Sequence, residues 1–391
     1  MKKMKLKIIK KSNLFIFLLL PIVCIAQTSL KANVVLNESN IKDLIDSVAN
    51  KMINKPMINS TSIAIVYQDK EYIGHYGELE KGKSNKPNNK TIYEIGSLSK
   101  TLTGTLIAKA VLDKKINLVD NIQKYLVGDY PNLKFSNYPI LIKNLITHTS
   151  GLPNMLPLKA NEVLKDFTNK NTDIKLNEIL KNFNQKEFLK DLHTVKIDTI
   201  PGYKFSYSSA GIELLGLILE KVYHEKYENL LIEYFSKNVQ MNDTKISLSK
   251  IEKENLAVGY HCDDNAITTE MPKFPWGSSG NIKTTVPDMM KYIKYQLKNN
   301  SEILESHKIV IKFDNKFSLG YCWQIITNEK LGTFYLHHGG VLRSQCFIYI
   351  IPKYDLGVFI ITNQSGENTP KDMQEAINEI FEKIEENKNN G

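Results

Sequence analysis

Cysteine is scarce in this 391-residue chain, and the signatures of several hydrolase classes do not occur in it. Outside an N-terminal leader only Cys262, Cys322 and Cys346 remain. Three widely spaced cysteines do not make a disulfide framework, so one bridge can form and none is required. The sequence lacks HExxH, HxHxDH and CxxC patterns, so a metal site has no support. It also lacks GxSxG, so the nucleophile elbow of an α/β-hydrolase has none either.

The first residues have the composition of a secretory leader. A lysine-rich start precedes an apolar stretch over Leu14–Ile25, and the small residue Ala26 offers a cleavage point. The stretch is shorter than the roughly 20 residues that a membrane-spanning helix needs. The alternatives are a lipoprotein anchor at Cys24, where Val23 is bulkier than expected, and a retained N-terminal anchor. We expect cleavage after Ala26, a periplasmic or secreted protein, and no stable membrane span after cleavage.

A large positive charge is also missing once the leader is set aside. The whole chain carries a formal charge of +9, and removing the six lysines of the leader, which has no acidic residue, leaves +3. The remaining lysines are interspersed with glutamates and asparagines, as on a solvated surface. Nucleic-acid binding therefore has no electrostatic support, and the expected partner is a small-molecule or peptide substrate.

Predicted strands lie near both ends of the mature chain, with predicted helices between them. Residues 61–77 alternate like two strands joined by a turn at 68–70, and further strands follow in the last third. The stretch 154–200 has helical periodicity, and 210–235 predicts one long amphipathic helix or two. This order predicts an α+β fold whose antiparallel sheet is built from both termini, flanked by helices, with a mainly helical inserted lobe.

The predicted domain organisation follows from the same order. Residues 1–26 would be the signal peptide and residues 27–385 a single catalytic domain. In that domain, the sheet lobe would use about 35–95 and 310–385, the helical lobe about 96–309, and residues 386–391 would form a frayed tail.

A serine followed three residues later by a lysine can be a catalytic pair, and context must choose among three such matches. These are Ser39/Lys42, Ser97/Lys100 and Ser247/Lys250. Ser97 follows an extended apolar segment and begins a strong helical pattern, so its hydroxyl would lie where helix N–H groups favour negative charge. Lys100 lies on the same helical face. Ser247 lies in a polar, charged stretch typical of a surface, and Ser39 is expected to cap the first helix.

Two later stretches supply residue types that could help the serine. A serine needs a base, and a lysine can be that base only if its pKa falls. Tyr207, at the end of a predicted strand, could relay a proton to a leaving group. His337 or His338 could add positive charge, while Gly339 and Gly340 let a substrate approach the backbone. Each alone also fits a structural role, as a packed aromatic or as strand-end histidines.

Together these stretches make the chain similar to a known family. SLSK at 97–100, YSS at 207–209 and HHGG at 337–340 occur in the order and spacing of the serine β-lactamase and penicillin-recognising superfamily, on its class C-like branch. TIYEIGSLSKTLTG, LIKNLITHTSGLP, PGYKFSYSSAGIELLGLILEKV, QMNDTKI and LGVFIITN extend the resemblance over about residues 40–385. That branch also holds D-alanyl-D-alanine carboxypeptidases, D-amino peptidases and carboxylesterases.

The resemblance implies a role for each matched residue. Ser97 would be the acylated nucleophile, Lys100 its proton acceptor or electrostatic partner, and Tyr207 the general base and acid. His337 matches the lysine of the family's KTG strand, and the backbone N–H groups of Ser97 and Gly340 would form the oxyanion hole. The implied reaction is a two-step acyl transfer that needs neither a metal nor an organic cofactor.

Two positions depart from the family pattern. The tyrosine motif usually ends in an asparagine that holds the substrate's acylamino group, and Ser209 stands there instead. Its shorter side chain cannot span the same gap, which weakens the case for a β-lactam or peptide substrate. Esterase-like members of the family often lack this asparagine, which strengthens the case for an ester. Arg343 stands where glycine is usual, and is either a contact for a substrate carboxylate or a solvent-exposed arginine at the rim. His148, in THTSGLP, is interpreted as structural.

The leading hypothesis is an exported serine hydrolase of β-lactamase type. Cleavage of D-Ala-D-Ala peptides, of other D-amino peptides or of esters on the same fold is the alternative. A penicillin-binding receptor that is acylated without turnover is an alternative of another class. A structural pseudoenzyme is disfavoured because nucleophile, lysine and tyrosine are all retained.

Overall fold

The computed structural model describes residues 38–262 and 266–388, so the predicted leader, Cys24 and the last three residues lie outside the described part. The α-helices of the described part are α1 (Glu38–Ile53), α2 (Ser99–Leu112), α3 (Ile142–Ile146), α4 (Lys159–Leu164), α5 (Thr172–Leu180), α6 (Gln185–Leu192), α7 (Ser209–Tyr223), α8 (Tyr227–Val239), α9 (Lys250–Lys253), α10 (Val286–Gln296), α11 (Ser301–Ser306) and α12 (Thr369–Lys388). Its strands are β1 (Ser60–Tyr67), β2 (Lys70–Gly77), β3 (Ile92–Glu94), β4 (Lys134–Phe135), β5 (Tyr138–Pro139), β6 (Tyr260–His261), β7 (Lys283–Thr285), β8 (Ile311–Lys312), β9 (Phe317–Leu319), β10 (Gln324–Asn328), β11 (Gly332–Val341), β12 (Ser344–Ile351), β13 (Leu356–Thr362) and β14 (Gln364–Ser365).

The main sheet joins strands from both ends of the chain. Its eight strands run in the order β2-β1-β13-β12-β11-β10-β9-β8. Neighbouring strands are antiparallel, including the β1–β13 pair that closes the sheet across the whole sequence. The β1–β2 hairpin turns through Gln68 and Asp69, which both have positive φ, as in the tight turns that suit the strand twist. The predicted α+β fold with a sheet built from both termini is confirmed.

Helices cover both faces of this sheet. Strand β1 is buried along its whole length, and successive side chains alternate between two cores. Ile63 and Ile65 belong to the outer core under α1 and α12, whereas Ala64 and Val66 belong to the main core on the other face. Helix α10 packs across β1 and β13 on that inner face. A strand covered on both sides accounts for the apolar run IAIV.

The ends of the two outer helices differ from the sequence expectation. Helix α1 begins at Glu38, one residue before the Ser39 expected to cap it. Helix α12 continues to Lys388, three residues into the segment expected to fray. The residues Glu385, Glu386 and Lys388 are good helix formers, so no local signal ends the helix earlier.

The predicted helical insertion and the paired helices after it are present. Helices α4, α5 and α6 lie within residues 154–200. The long amphipathic stretch is two helices, since His224 adopts a left-handed conformation (φ 57°) and ends α7. No helix in the described ranges combines the length and the apolar composition needed to cross a membrane.

Candidate active site

Ser97 lies in a 3₁₀ turn, Gly96–Leu98, that leads directly into α2. The turn follows β3, which matches the predicted passage from an extended segment to a helix. Gly96 has φ 51°, and a Cβ there would lie 2.8 to 2.9 Å from the backbone O, C and N of Gly340. Only glycine therefore lets the turn lie against β11 this closely. The contact brings Ser97 beside the Gly340 backbone, although the oxyanion-hole roles of their N–H groups stay a prediction.

Lys100 contacts the serine and is buried beneath it. Its Nζ lies 3.1 Å from Ser97 Oγ and donates a second hydrogen bond, 2.6 Å long, to the backbone oxygen of Ser279. The lysine is 0% exposed. Burial lowers the pKa of Lys100 to about 7, because an ammonium ion loses its hydration there. At neutral pH a substantial part of Lys100 is therefore a neutral amine that can accept a proton.

Tyr207 reaches the same oxygen from another element. Its hydroxyl donates to Ser97 Oγ at 2.7 Å, and burial raises the pKa of Tyr207 above its ordinary value. The phenol is thus protonated at neutral pH and serves as a proton donor. The expected strand before it is wrong: residues 203–207 form no strand. The segment is instead held by loop contacts, including Ser206 N–H to the His148 oxygen at 2.7 Å, before α7 begins.

His148 packs against the tyrosine. The two rings have centroids 4.5 Å apart, and His148 Nδ1 accepts a hydrogen bond from the Ser208 N–H at 3.2 Å. The Lys100 ammonium lies 4.9 Å from the centre of the same Tyr207 ring. Burial holds the pKa of His148 well below its usual range, so the ring is neutral. These contacts suit the structural interpretation of His148, which positions Tyr207.

His337 and His338 lie on β11 and differ in their neighbours. His337, 1% exposed, lies within electrostatic reach of Lys100 and His148. His338 packs on Phe347, with ring centroids 4.5 Å apart. Burial lowers the pKa of His337 to about 3 and that of His338 to about 4. The expectation that either histidine adds positive charge is therefore wrong, because both rings are neutral near pH 7.

The glycine pair after these histidines packs on the serine turn. A Cβ on Gly339 would lie 2.1 Å from the backbone oxygen of Ile95 and 3.1 Å from Leu98 Cβ. Because the strand cannot carry side chains here, β11 and the turn meet backbone to backbone. The close approach of a substrate to the backbone at Gly339 and Gly340 stays a prediction.

Ser209, which replaces the family's usual asparagine, binds an asparagine from another loop. Its hydroxyl donates to Asn154 Oδ1 at 3.2 Å, and its backbone N–H approaches the same oxygen at 3.4 Å. The Ala210 N–H donates to the Asn154 backbone oxygen at 2.9 Å. Sequence analysis missed Asn154, and its position directly after THTSGLP was the only signal that could have suggested it.

Arg343 lies in the turn between β11 and β12 and is half-buried. Its guanidinium donates to the backbone oxygen of Ala257 at 2.7 Å, and its charge acts on the buried Glu94 carboxylate. Arg343 is thus anchored by backbone rather than free in solvent. Recognition of a substrate carboxylate by Arg343 stays a prediction.

The second SLSK copy is a surface feature. The exposed Ser247 hydroxyl donates to Glu228 Oε2 at 2.9 Å. Ser249 caps helix α9, with its hydroxyl accepting the Glu252 N–H. Lys250 is exposed at the start of that helix. The charged surroundings of this copy therefore indicated its location correctly.

The cysteines and the possible metal ligands of the described residues form neither a disulfide bond nor a metal site. Cys262, Cys322 and Cys346 are buried, and within the described ranges no disulfide bond joins them. Residues 38–262 and 266–388 contain no group of three or more His, Cys, Asp or Glu side chains arranged to hold a metal ion.

Known proteins resemble this chain in sequence and in fold. The β-lactamase family profile matches residues 45–380. Protein flp of Staphylococcus aureus strain MW2 is 27% identical over 338 residues, which cover 84% of this chain and 64% of that relative. A β-lactamase of Providencia stuartii is 27% identical over 293 residues, covering 75% of this chain and 67% of the relative. The chain thus spans about two thirds of the length of both.

Solved structures have the same fold at low identity. A β-lactamase/D-alanine carboxypeptidase from Yersinia pestis superimposes with a TM-score of 0.74 at 18% identity, covering 89% of this chain and 99% of that one. A class C β-lactamase gives a TM-score of 0.75 at 19% identity, covering 89% and 97%. With the profile match over most of its length, the chain belongs to the β-lactamase family.

Proposed function

We propose that this protein is an exported serine hydrolase that works through an acyl-enzyme on Ser97. One observation carries the proposal: Ser97 Oγ lies within hydrogen-bond distance of both Lys100 Nζ and the Tyr207 hydroxyl. Lys100 has a pKa near neutrality and Tyr207 has a raised pKa, so one group can accept a proton while the other donates one. Opposed pKa shifts on two groups that share an oxygen suit acyl transfer.

The acylation step follows from these assignments. Neutral Lys100 accepts the proton of Ser97 as Oγ bonds to the substrate carbonyl carbon. The N–H groups of Ser97 and Gly340 stabilise the negative charge on the carbonyl oxygen. The bond from carbon to the leaving nitrogen or oxygen then breaks, and Tyr207 donates a proton to the leaving group. Lys100 then passes the proton that it took from Ser97 to Tyr207. The net result is the transfer of one proton from Ser97 to the leaving group.

Deacylation uses the same groups in reverse. A water molecule attacks the ester carbonyl, and its proton passes to the basic member of the Lys100–Tyr207 pair. The bond from the acyl carbon to Ser97 Oγ breaks, and the serine regains a proton. The products are a carboxylic acid and the free enzyme.

The preferred substrate carbonyl is a β-lactam amide. The likeness to the Providencia stuartii β-lactamase supports this choice. Cleavage of a D-Ala-D-Ala peptide, another D-amino peptide or an ester is the alternative. Among these, Ser209 favours the ester, since a hydroxyl bound to Asn154 cannot span the gap to a substrate acylamino group that asparagine spans. A receptor that is acylated by penicillin and does not turn over would use the same acylation step.

A three-substrate assay tests the proposal. We expect a chromogenic cephalosporin, a p-nitrophenyl ester and a D-Ala-D-Ala peptide to be hydrolysed at unequal rates by the wild type and by Ser247→Ala. Ser97→Ala should lose all three activities, because the substitution removes the hydroxyl that would bond to the substrate carbonyl carbon. Intact-mass spectrometry after penicillin exposure should detect a transient adduct that Ser97→Ala cannot form.

The outcomes separate the hypotheses. Activity that survives in Ser97→Ala and is lost in Ser247→Ala overturns the assignment of the nucleophile. A long-lived Ser97 adduct without turnover favours the receptor. If the cephalosporin is not hydrolysed while the ester or the peptide is hydrolysed rapidly, the protein is an esterase or a peptidase rather than a β-lactamase.

Export is part of the proposal. The composition of residues 1–26 supports it, and the mass of the protein recovered from the periplasm or medium reports the cleavage site, which is expected after Ala26.

A further inference from the structure

A buried carboxylate on α7 holds the loop of residues 276–279. Glu213 is 3% exposed. Its Oε2 accepts the N–H groups of Trp276 at 2.7 Å and Gly277 at 3.0 Å, and its Oε1 accepts the N–H of Ser279 at 2.8 Å. Burial raises the pKa of Glu213, and hydrogen bonds from the loop oppose that rise. Three backbone donors directed at one side chain form a cradle for an anion.

The same loop faces helix α2 with its carbonyl groups. The Ser278 oxygen accepts the Thr103 hydroxyl at 2.6 Å, and the Ser279 oxygen accepts Lys100 Nζ at 2.6 Å. In a trans peptide the N–H and the C=O point in opposite directions. The unit between Ser278 and Ser279 therefore directs its N–H to Glu213 and its C=O to α2.

Close packing keeps α7 against this loop. Gly216 lies three residues after Glu213, and a Cβ there would lie 2.7 Å from Ser278 Oγ and 2.9 Å from Trp276 Cβ. A glycine at this position lets the helix backbone approach the loop. The approach lets the Glu213 side chain reach the backbone N–H groups.

We propose that Glu213 is a positioning residue for the reaction at Ser97. By holding residues 276–279 it fixes the Ser279 carbonyl as the hydrogen-bond acceptor of Lys100. One N–H of the neutral Lys100 amine is then directed to that carbonyl. The lone pair on the amine nitrogen is left to receive the Ser97 proton. The effect on rate rests on the proposed function, whereas the effect on Lys100 does not.

Removing the Glu213 carboxylate has a signed consequence for Lys100. The negative charge of Glu213 opposes the lowering of the Lys100 pKa by burial. The carbonyl that Glu213 holds also accepts a hydrogen bond from the ammonium form. Loss of either contribution disfavours the charged lysine, so the pKa of Lys100 falls further.

A titration of the lysine side chains measures this change in the Lys100 pKa directly. The side-chain carbons of ¹³C-labelled lysines are followed by NMR from pH 5 to 10, and the Lys100 signal is assigned by its absence in Lys100→Arg. In Glu213→Gln we expect the Lys100 pKa to fall by about one unit, the shift that corresponds to a tenfold change in the protonation equilibrium. The matched control is Glu220→Gln, because Glu220 lies on the same helix and accepts the Trp276 indole N–H at 3.1 Å without contacting Ser279. The control should titrate like the wild type.

Kinetics gives a second measurement. Glu213→Gln should acylate Ser97 about 10- to 100-fold more slowly with a nearly unchanged KM, as expected when a reacting group is displaced by a fraction of an ångström to one ångström. If Glu213→Gln does not fold, Glu213→Asp, which keeps the charge and shortens the reach, is titrated in its place, and a shifted Lys100 pKa is again expected.

An unchanged Lys100 titration in the folded variant overturns the positioning role, whatever happens to the rate. An equal shift in Glu220→Gln also overturns it, since the effect would then not be specific to Glu213. A shifted titration in a protein whose wild type forms no acyl-enzyme would support the positioning role and refute the proposed function.

Discussion

At the scale of single residues, the site depends on opposite pKa shifts with one cause. Burial destabilises the charged form of each group, so it lowers the pKa of Lys100 and raises that of Tyr207. Near neutral pH the result is a lysine that is neutral in a substantial part of the molecules, beside a protonated phenol, around one serine oxygen. The family resemblance made Lys100 a proton acceptor or an electrostatic partner and gave Tyr207 both base and acid roles. Of these, the shifts favour Lys100 as the base and Tyr207 as the acid.

The first prediction concerns the pH dependence of acylation. Lys100 must be neutral to accept the Ser97 proton, and its pKa is about 7. The acylation rate should therefore fall about tenfold per pH unit below that value and level off above it. Rapid-mixing measurement of the acylation burst from pH 5 to 9 provides the profile.

Lys100→Arg is the control for this profile, because a guanidinium stays protonated at every pH used. It should keep the positive charge and lose acylation throughout the range. A wild-type rate that stays flat down to pH 5 would show that Lys100 is not the base.

Sequence reasoning could choose Ser97, Lys100 and Tyr207 because each belongs to a motif with a recognisable local context. It could not predict that His337 is neutral. A histidine can carry positive charge and so offered that role in the sequence, but at 1% exposure burial lowers the pKa of His337 and favours the neutral ring.

At the scale of elements, the site is a junction between the turn that carries Ser97 and the strand β11. The two meet where Gly96 and Gly339 leave no side chain between the backbones. Helix α7 contributes from the other side, with Tyr207 just before its start and Glu213 within it.

The second prediction tests this junction with Gly96→Ala. The new Cβ would lie within 2.9 Å of the Gly340 backbone, which cannot move without disturbing β11. We expect a loss of stability of about 1 kcal/mol or more from the positive φ and the clash. We also expect acylation to slow about 100-fold, because the serine moves relative to Lys100 and Tyr207. Urea unfolding and the acylation burst measure the two effects.

Gly128→Ala is the matched control. Gly128 also has a positive φ, 92°, but a Cβ there meets nothing within 4 Å. Gly128→Ala should lose stability from the positive φ, as Gly96→Ala does, but it should acylate at the wild-type rate. If both variants acylate alike, the approach of β11 does not position the serine.

Local sequence patterns predicted helices and strands well where apolar residues recur at regular spacing. They predicted them poorly where contacts with distant residues determine the backbone conformation. The hairpin at 60–77 and helices α7 and α8 follow from periodicity. The segment before Tyr207 has alternating aromatic and polar residues, yet it forms no strand because its backbone bonds to the loop around His148 rather than to a neighbouring strand. The two SLSK copies, by contrast, could be distinguished from their flanking residues, since an extended apolar segment precedes Ser97 and a polar, charged stretch surrounds Ser247.

At the scale of the whole molecule, the fold separates a stabilising face of the sheet from a reactive one. The outer core under α1 and α12 joins the two ends of the described chain. The candidate site lies on the other side, among α2, the start of α7 and the C-terminal end of β11. Stability and chemistry can therefore change separately.

The third prediction uses Ile377→Ala to test this separation. Ile377 is 0% exposed in the outer core, so its truncation should cost about 2 to 5 kcal/mol of unfolding free energy. The acylation rate of the folded protein should stay unchanged. Urea unfolding and the acylation burst at a temperature where both proteins are folded provide the comparison.

Ile251→Ala is the corresponding surface control. Ile251 is 75% exposed, and its truncation should change stability by less than about 0.5 kcal/mol. A slower acylation in folded Ile377→Ala, absent in Ile251→Ala, would mean that the outer core is coupled to the site.

The amino-acid sequence by itself determined the order and type of the main elements, the α+β class and the choice of Ser97 over Ser247. Hydrophobic periodicity and local context are properties of neighbouring residues, so they can be read along the chain. Only the tertiary structure decided the burial that lowers the pKa values of Lys100 and His337, the partner of Ser209 and the cradle around Glu213. Those depend on burial and on contacts between residues such as Lys100 and Ser279, which lie far apart in sequence and meet only when the chain is folded.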